Sequence, residues 1–475
     1  MADPRGFMKF TRKEGGYRPV SERTDDYGEV EQTLNDNDRR EQAARCMDCG
    51  IPFCHWACPV GSKIPEWQDA LFKGEYKLAS DILHSSNSFP EFTGRICPNP
   101  CEKSCVLAIH KEAVTIRENE ASTVEKAFEL GYIVPRIPKI RTGKKVAVVG
   151  SGPAGLSVAD LLNQQGHTVT VYEKDDAVGG LLRYGIPDFK LNKKVIDRRI
   201  AIFEEEGIIF KTNCSVGDDV KGKQLLNDFD AVVLTIGAMK PRDLPVEGRE
   251  LNGIHFAMEF LRQQNKVNRG EEFLNGTRIL AKDKSVLVIG GGDTGSDCVG
   301  TSNRQKARNV TQIEILPKPP KDRALGNPWP YWPTVLKTSS SHEEGCDRKW
   351  SLSTKRFIGD KGKVKQAELV EVKWDKGENG QWVMSEVEGS NFIMDVDLVL
   401  LSMGFVHAIH EGLVKELGLE LDQRGNLKVD KHYKTSVNKV FAAGDSASGA
   451  SLVVTAINHG RVAAENVHEF LMKEK

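Results

Sequence analysis

The chain has 475 residues, 39% of them hydrophobic and 28% charged, and a formal net charge of -1. That length exceeds one ordinary core and predicts roughly two to four domains, while the balanced charge excludes a disordered chain or one built to bind nucleic acid. The N-terminus lacks the apolar core of a secretory signal, and no stretch stays apolar and uncharged for about 18 residues, so the expectation is a cytoplasmic enzyme with no membrane segment.

Residues 1–143 hold seven of the ten cysteines. An odd cluster without an export signal argues against disulfides and for metal. The spacing Cys46-x2-Cys49-x4-Cys54-x3-Cys58-Pro59 wraps thiolates around a cluster in the manner of ferredoxins, where the last cysteine of such a run often serves another cluster. Cys97-x3-Cys101-x3-Cys105 follows, and its spacing predicts a loop leading into a helix with Cys101 and Cys105 on one face. Seven thiolates are one short of two four-cysteine clusters, so either one ligand is not cysteine or a single cluster forms. Zinc is the alternative, with His55 or His110 completing a tetrahedral set. Apolar spacing in Trp67-Gln-Asp-Ala-Leu-Phe is helical, which predicts a mostly helical iron-sulfur domain with loops at the cysteines. Pro135, Pro138 and the basic Lys139 to Lys145 read as a linker.

From Lys145 the pattern changes to short apolar runs suited to strands buried on both faces of a parallel sheet. Val146-Ala-Val-Val is followed by Gly150-Ser-Gly-Pro153-Ala154-Gly155, a glycine-rich turn that opens a helix. In this context Gly150 permits the turn, Gly152 lets backbone approach a pyrophosphate, and Gly155 lets helix and strand pack, while the helix N-terminus offers free N–H groups. Glu173, closing the next strand, is placed to accept hydrogen bonds from a ribose diol. The logic repeats at Ser285-Val-Leu-Val-Ile, then Gly290-Gly-Gly292-Asp293-Thr294-Gly295, with Glu314 at the strand end. Two dinucleotide sites imply two different dinucleotides, a flavin and the nicotinamide that reduces it. Near the C-terminus Val440-Phe-Ala-Ala-Gly444-Asp445 reads as a strand returning to the first sheet, which would bring Asp445 to the flavin's ribityl hydroxyls. The expected architecture is α/β, with two Rossmann-like domains behind the helical one. The segments are 1–143 (iron-sulfur), 144–283 (first part of the FAD domain), 284–395 (NAD(P)H domain) and 396–475 (the FAD domain's returning part).

Several long motifs resemble the small subunit of glutamate synthase, nearly end to end. They are Gly6-Phe-Met, Arg18-Pro-Val, Glu41-Gln-Ala-Ala-Arg-Cys-Met-Asp-Cys-Gly-Ile-Pro-Phe-Cys, Gly94-Arg-Ile-Cys-Pro, Gly179-Gly180-Leu181-Leu-Arg-Tyr-Gly-Ile-Pro, Asn327-Pro-Trp-Pro, and Gly449-Ala-Ser-Leu-Val-Val-Thr-Ala-Ile-Asn-His-Gly-Arg. The resemblance implies FAD in the first site, with Gly180 and Leu181 beside it, NADPH or NADH in the second, and two 4Fe-4S clusters. It implies that Cys46, Cys49, Cys54 and Cys105 hold one cluster, and Cys58, Cys97, Cys101 and Glu120 the other. It also implies a partner, the large (alpha) subunit carrying FMN, which forms glutamate from glutamine and 2-oxoglutarate using electrons supplied here. The rival reading is the same module in another complex, of ferredoxin:NADP oxidoreductase or pyrimidine reductase type, and Asn327-Pro-Trp-Pro weighs against it. A scaffold that merely retains nucleotides is a third reading, separable by diaphorase activity. Two local questions stay open. Relatives carry an Asp-Tyr-Gly-His-Glu-like segment where this chain has Ser339-Ser-Ser before His342-Glu343-Glu344. Glu314, with Ile315-Leu316 in place of a phosphate clamp, makes NADH the expected donor, and Lys318, Lys321 and Arg323 just downstream would read the 2′-phosphate of NADPH only if the loop folds back.

Overall fold

The computed structural model describes residues 3–274 and 276–473. Among them, residues 3–144 form helices and loops and no strand. Trp67, Leu71 and Leu83, fully buried on the helices Ile64–Lys73 and Tyr76–Ser86, make the core of this module, and Cys101 and Cys105 pack into it. Gly74 ends the first of these helices in the left-handed region, at φ 77°, where a residue without Cβ is favoured.

Fourteen strands follow. They are β1 (Lys145–Val149), β2 (Thr168–Tyr172), β3 (Ile209–Lys211), β4 (Ala231–Leu234), β5 (Ile254–Phe256), β6 (Ser285–Ile289), β7 (Asn309–Glu314), β8 (Asp347–Trp350), β9 (Leu352–Asp360), β10 (Lys363–Lys376), β11 (Trp382–Glu386), β12 (Phe392–Asp395), β13 (Leu398–Leu401) and β14 (Val440–Ala442). One parallel sheet runs β14-β4-β1-β2-β3 and a second runs β5-β13-β6-β7-β8. The two match position for position, with β1 and β6 central and each leading into a glycine loop. β9 to β12 form an antiparallel sheet inserted in the second unit. β14 returns to the first sheet beside β4, as its apolar run predicts.

The second sheet takes β5 and β13 from outside the expected 284–395 segment, so the boundaries at 283/284 and 395/396 are corrected outward. The crossings lie where the two connections run side by side: Pro241 bridges Phe405, the Lys240 N–H donates to the His407 oxygen, and the Val406 N–H donates to the Lys240 oxygen. The register of an isolated three-residue strand such as Ile254-His-Phe is set by its partner β13 rather than by any local pattern.

The helical module is bonded to both units. Phe89 and Phe92 belong to the core of the first sheet's unit, and Glu91 pairs with Arg199 at 2.6 Å with both side chains buried. Removing one member of such a pair costs about 3–5 kcal/mol, because the other is left buried and uncompensated. On the other side, buried Glu344 accepts from Arg304 at 2.5 Å and from Arg23 at 2.9 Å. This answers the question of the serine-rich loop. Ser339 caps the short helix Ser340–Glu343, its hydroxyl bonds Ser296 at 2.6 Å, and His342 bonds Gln312 at 2.8 Å, so the segment presents Glu344 to the N-terminal module.

Candidate functional site

The first glycine loop has the geometry its residues require. Gly150 sits at φ 98°, and a Cβ there would lie 2.5 Å from the Thr235 carbonyl oxygen; one on Gly155 would lie 2.0 Å from the Gly150 oxygen. Gly152 is different. Its backbone is ordinary, φ −67° and ψ −179°, and a Cβ on it would meet nothing within 4 Å. The open space lies at the N-terminus of the helix Pro153–Gln164, where backbone N–H groups are free for an anion. Gly180 presses against this loop, 2.9 Å from the Gly152 Cα if given a Cβ, and Leu181 opens the next short helix. Gly444, at φ 69°, approaches Ala154, and Gly460 of the helix Val453–Lys473 lies against the Ala154 carbonyl. Asp445 follows at the start of a short helix and accepts from the Ser451 hydroxyl at 2.7 Å; burial raises its pKa.

The second loop repeats the first. Gly290 sits at φ 120°, Gly295 admits no Cβ, and Gly292 faces open space before the helix Asp293–Arg304 that Asp293 and Thr294 begin. Two carboxylates act alike. Glu173 accepts from the Ser151 N–H at 3.1 Å and from the Asp175 N–H at 2.9 Å, and Glu314 accepts from the Gly291 N–H at 2.7 Å and the Leu316 N–H at 3.1 Å. Each holds its glycine loop in shape, and a carboxylate's remaining acceptor capacity is what a ribose would use. The sequence reasoning missed a matching pair of hydroxyls. Thr235 donates to the oxygens of Val149 and Gly150, and Ser402 to that of Ile289. The signal was there: Ala231-Val-Val-Leu-Thr-Ile-Gly and Leu398-Val-Leu-Leu-Ser-Met-Gly both end an apolar run on a hydroxyl and a glycine.

The seven cysteines divide in two. Cys46, Cys49, Cys54 and Cys105 line one small cavity, with Phe53, Ile64 and Leu107. Cys58, Cys97, Cys101 and Glu120 are electrostatic neighbours of one another. Burial pushes the thiols up, Cys46 and Cys97 to about 12 and Cys58 to about 11; iron would displace protons these sites otherwise retain. Glu120 lies on the helix Ile116–Glu129, and its Oε1 accepts from Thr93 at 2.7 Å and Asn87 at 3.1 Å. Burial raises its pKa to about 7. Both of these hydrogen bonds fall on Oε1. The helix expected to carry Cys101 and Cys105 on one face is corrected: it ends at Lys103, and Cys105 is extended at φ −58° and ψ 129°. After the break Cys105 lines the cavity with Cys46, Cys49 and Cys54, whereas Cys101 neighbours Cys58 and Cys97. His55 Nε2 accepts from the Ile64 N–H at 2.9 Å and His110 is exposed, while no group of three His, Cys, Asp or Glu side chains among the described residues converges as one metal ion requires. A cluster's thiolates bind separate irons, so two groups of thiols that do not converge on one point are compatible with iron-sulfur clusters.

A cavity of about 600 Å³ joins the three modules, a volume typical of ligand sites. It is lined by Cys97 and Pro98 of the helical module, Leu452 and Val453 at the start of the C-terminal helix, and Asp293 of the second loop. Lys190, half-buried, and Asp297 form a 2.5 Å ion pair at its wall, joining the first unit to the second.

Comparison with known proteins follows this division. The family model for pyridine nucleotide-disulphide oxidoreductase matches residues 144–460, and that for dihydropyrimidine dehydrogenase domain II, 4Fe-4S cluster, matches residues 23–132. The glutamate synthase (NADPH) small chain of Mycobacterium tuberculosis is 48% identical over 99% of this chain and 96% of its own. The chain belongs to the glutamate synthase small-chain family. The Bacillus subtilis glutamate synthase (NADPH) small chain is 43% identical over 99% of both chains. The glutamate synthase (NADH) of Schizosaccharomyces pombe is 46% identical over 98% of this chain, which accounts for 22% of that longer protein. Mycobacterium tuberculosis FprA, solved in complex with NADPH, superposes with a TM-score of 0.55 over 70% of this chain and 85% of its own, at 16% identity, and so shares the fold. Among the described residues no helix is long and apolar enough to cross a membrane.

Proposed function

We propose that this small chain is the cytoplasmic electron-input subunit of glutamate synthase, oxidising NAD(P)H and delivering electrons to a large, FMN-bearing chain that forms glutamate from glutamine and 2-oxoglutarate. FAD and two 4Fe-4S clusters, when bound, supply the conversion of a hydride pair into single electrons. The loop at Gly150–Gly155 with Glu173, Gly180, Leu181, Gly444 and Asp445 would hold the FAD, and the loop at Gly290–Gly295 the nicotinamide. The observation that carries this reading is the shared cavity, where both nucleotide units and the Cys97 set meet. Purified holoprotein should reduce ferricyanide with NAD(P)H on its own and form glutamate only when the large chain is added. Nucleotide binding without ferricyanide reduction would leave only a scaffold.

Which nicotinamide is preferred turns on the end of β7. Glu314 is engaged by its own loop, as Glu173 is, so only its remaining acceptor capacity is left for a ribose hydroxyl. Arg323 is turned away, donating to the oxygens of Lys103 and Tyr331. Beside Glu314, however, Trp350 of β8 has two cations over its ring, Lys318 at 4.8 Å and Arg348 at 5.1 Å. In this reading these two would meet a 2′-phosphate. The expected result is a kcat/KM for NADPH about tenfold or more above NADH, worth about 1.4 kcal/mol, that collapses in Lys318→Ala/Arg348→Ala. An NADH preference that Glu314→Ala reverses would restore the carboxylate as the reader.

A further inference from the structure

The second nucleotide unit is held differently from the first. Phe89 and Phe92 put the helical module into the first unit's apolar core, whereas among the described residues both apolar clusters of the second unit draw only on residues 244–403. Its backbone reaches the first unit where the Arg242 N–H donates to the Gly404 oxygen at 2.9 Å and the Val406 N–H to the Lys240 oxygen at 2.8 Å. Beyond these crossings the two nucleotide units meet through charged contacts, such as Arg262 on Asp175 at 2.9 Å. Units joined by two short connections, without a shared apolar core, turn on each other by default. Trp329 of the second unit adds one aromatic contact to the helical module, on Phe53 with ring centroids 4.7 Å apart.

A loop of the helical module lies across this joint. Residues 16–32 close on themselves, with the Arg18 N–H donating to the Val30 oxygen at 2.9 Å and the Gln32 N–H to the Gly16 oxygen at 2.8 Å, while Arg95 and Arg117 anchor Glu29 and Glu31 to the module. On the first unit, the Val30 N–H donates to the Phe189 oxygen at 3.0 Å, and Glu29 accepts from the Asn192 N–H at 3.0 Å. On the second, Arg23 donates to Glu344 at 2.9 Å and to the Ser340 oxygen at 2.8 Å, Lys306 donates to Asp25 at 2.6 Å, and Arg304 to the Asp26 oxygen at 3.0 Å. The Arg23 and Glu344 side chains are 3% and 0% exposed. A charge pair sealed from water in this way does not open as a surface pair does.

We propose that residues 16–32 are a clasp that fixes the second nucleotide unit against the first, and that Arg23 is a positioning residue for hydride transfer from NAD(P)H to FAD. The hydrogen bonds of Arg23 go to Arg18, Ser340, Glu343 and Glu344. It therefore acts through Glu344, whose other partner, Arg304, ends the helix that begins at the second glycine loop. In the transfer a hydride, two electrons with one proton, leaves the nicotinamide ring and bonds to the flavin ring, leaving NAD(P)+ and reduced flavin. The reacting atoms must lie about 3–3.5 Å apart, and a misplacement of about 1 Å can cost about a hundredfold. A unit free to turn on its hinge would spend most of its time outside that range. The inference rests on the function proposed above for the hydride step, while the clasp itself is tested without it.

Three variants grade the clasp. Arg23→Gln removes the charge, Arg23→Glu sets a carboxylate against Glu344, and Arg23→Lys restores a cation. Glu344 and Arg304 stay paired in all three, so the second unit keeps its own bonds. In intact holoprotein, amide hydrogen exchange at Arg242 and Val406 should quicken about tenfold or more in Arg23→Gln, further in Arg23→Glu, and return toward the parent in Arg23→Lys. The limiting rate of flavin bleaching by NAD(P)H in stopped flow should fall about tenfold or more in Arg23→Gln, with the Kd for oxidised nicotinamide dinucleotide within about twofold of the parent, because the second glycine loop is untouched. Exchange at the Arg18 and Val30 amides reports whether the loop has let go, and Arg23→Gln, the milder change, carries the test if Arg23→Glu does not load its cofactors. A released loop with hinge exchange or limiting rate as in the parent would overturn the proposal, as would a loop that stays closed in both charge-removing variants. A parent protein that NAD(P)H does not bleach would instead overturn the proposed function, and hinge exchange alone then decides the clasp.

Discussion

Replacing Gly152 with valine is expected to give a folded protein without flavin. The backbone at Gly152 is one any residue adopts, and a Cβ there touches no protein atom within 4 Å, so the chain itself loses little. The added branch would occupy the space through which a pyrophosphate reaches the helix N-terminus. Each charge-assisted hydrogen bond lost there removes about 1.5–3 kcal/mol, so FAD affinity should fall at least about a hundredfold, or about 2.7 kcal/mol. Thermal unfolding of this variant should match flavin-stripped parent protein and lack the stabilisation that added FAD gives the parent. Gly155→Val should behave differently and fail to fold, because its Cβ would lie 2.0 Å from the Gly150 oxygen. Gly292→Val, in the matching position of the second loop, should yield yellow protein that dithionite bleaches and NAD(P)H does not. Flavin lost from the Gly292 variant and retained in the Gly152 variant would exchange the two assignments.

Both nucleotide loops were legible because their chemistry is local: an apolar run, a turn needing positive φ, and a helix start follow one another within about ten residues, in the pattern the fold requires. The grouping of the cysteines could not be read from spacing alone, since Cys101 and Cys105 are four residues apart yet lie among different thiols once the helix stops at Lys103. Three-residue strands escaped for a related reason. Ile254-His-Phe has no periodicity of its own, and its pairing with β13 joins residues about 145 positions apart. The role of Asn327-Pro-Trp-Pro was equally invisible. Nothing near Trp329 in the sequence announces Phe53, whose ring it covers from the other end of the chain. Glu173 and Glu314 were found at the right strand ends, but their hydrogen bonds show a part in shaping the loops that a ribose-binding argument does not include.

Anaerobically prepared protein is expected to contain about eight iron and eight acid-labile sulfide per chain, four of each for either cluster. Cys54→Ser and Cys101→Ser should each lower both counts to about four, with different residual paramagnetic spectra, because the two residues lie in separate sets. Their electron traffic should fail alike at the partner: ferricyanide reduction, which can draw on the flavin, persists, while glutamate formation with the large chain falls by about a hundredfold or more, since a serial relay has no way around a missing member. Glu120 supplies the sharper test. Its Oε1 is held by Thr93 and Asn87, so a ligating role falls to the other oxygen, and Glu120→Gln keeps a donor there that Glu120→Ala removes. The glutamine variant should retain about eight iron and the alanine variant about four, with Cys46, Cys49, Cys54 and Cys105 still occupied. Full iron in Glu120→Ala would take Glu120 out of the set and leave its buried carboxylate as a partner for Asn87 and Thr93 alone. Zinc bound without sulfide in the parent protein would remove both clusters, and with them the proposed relay from the flavin to the large chain.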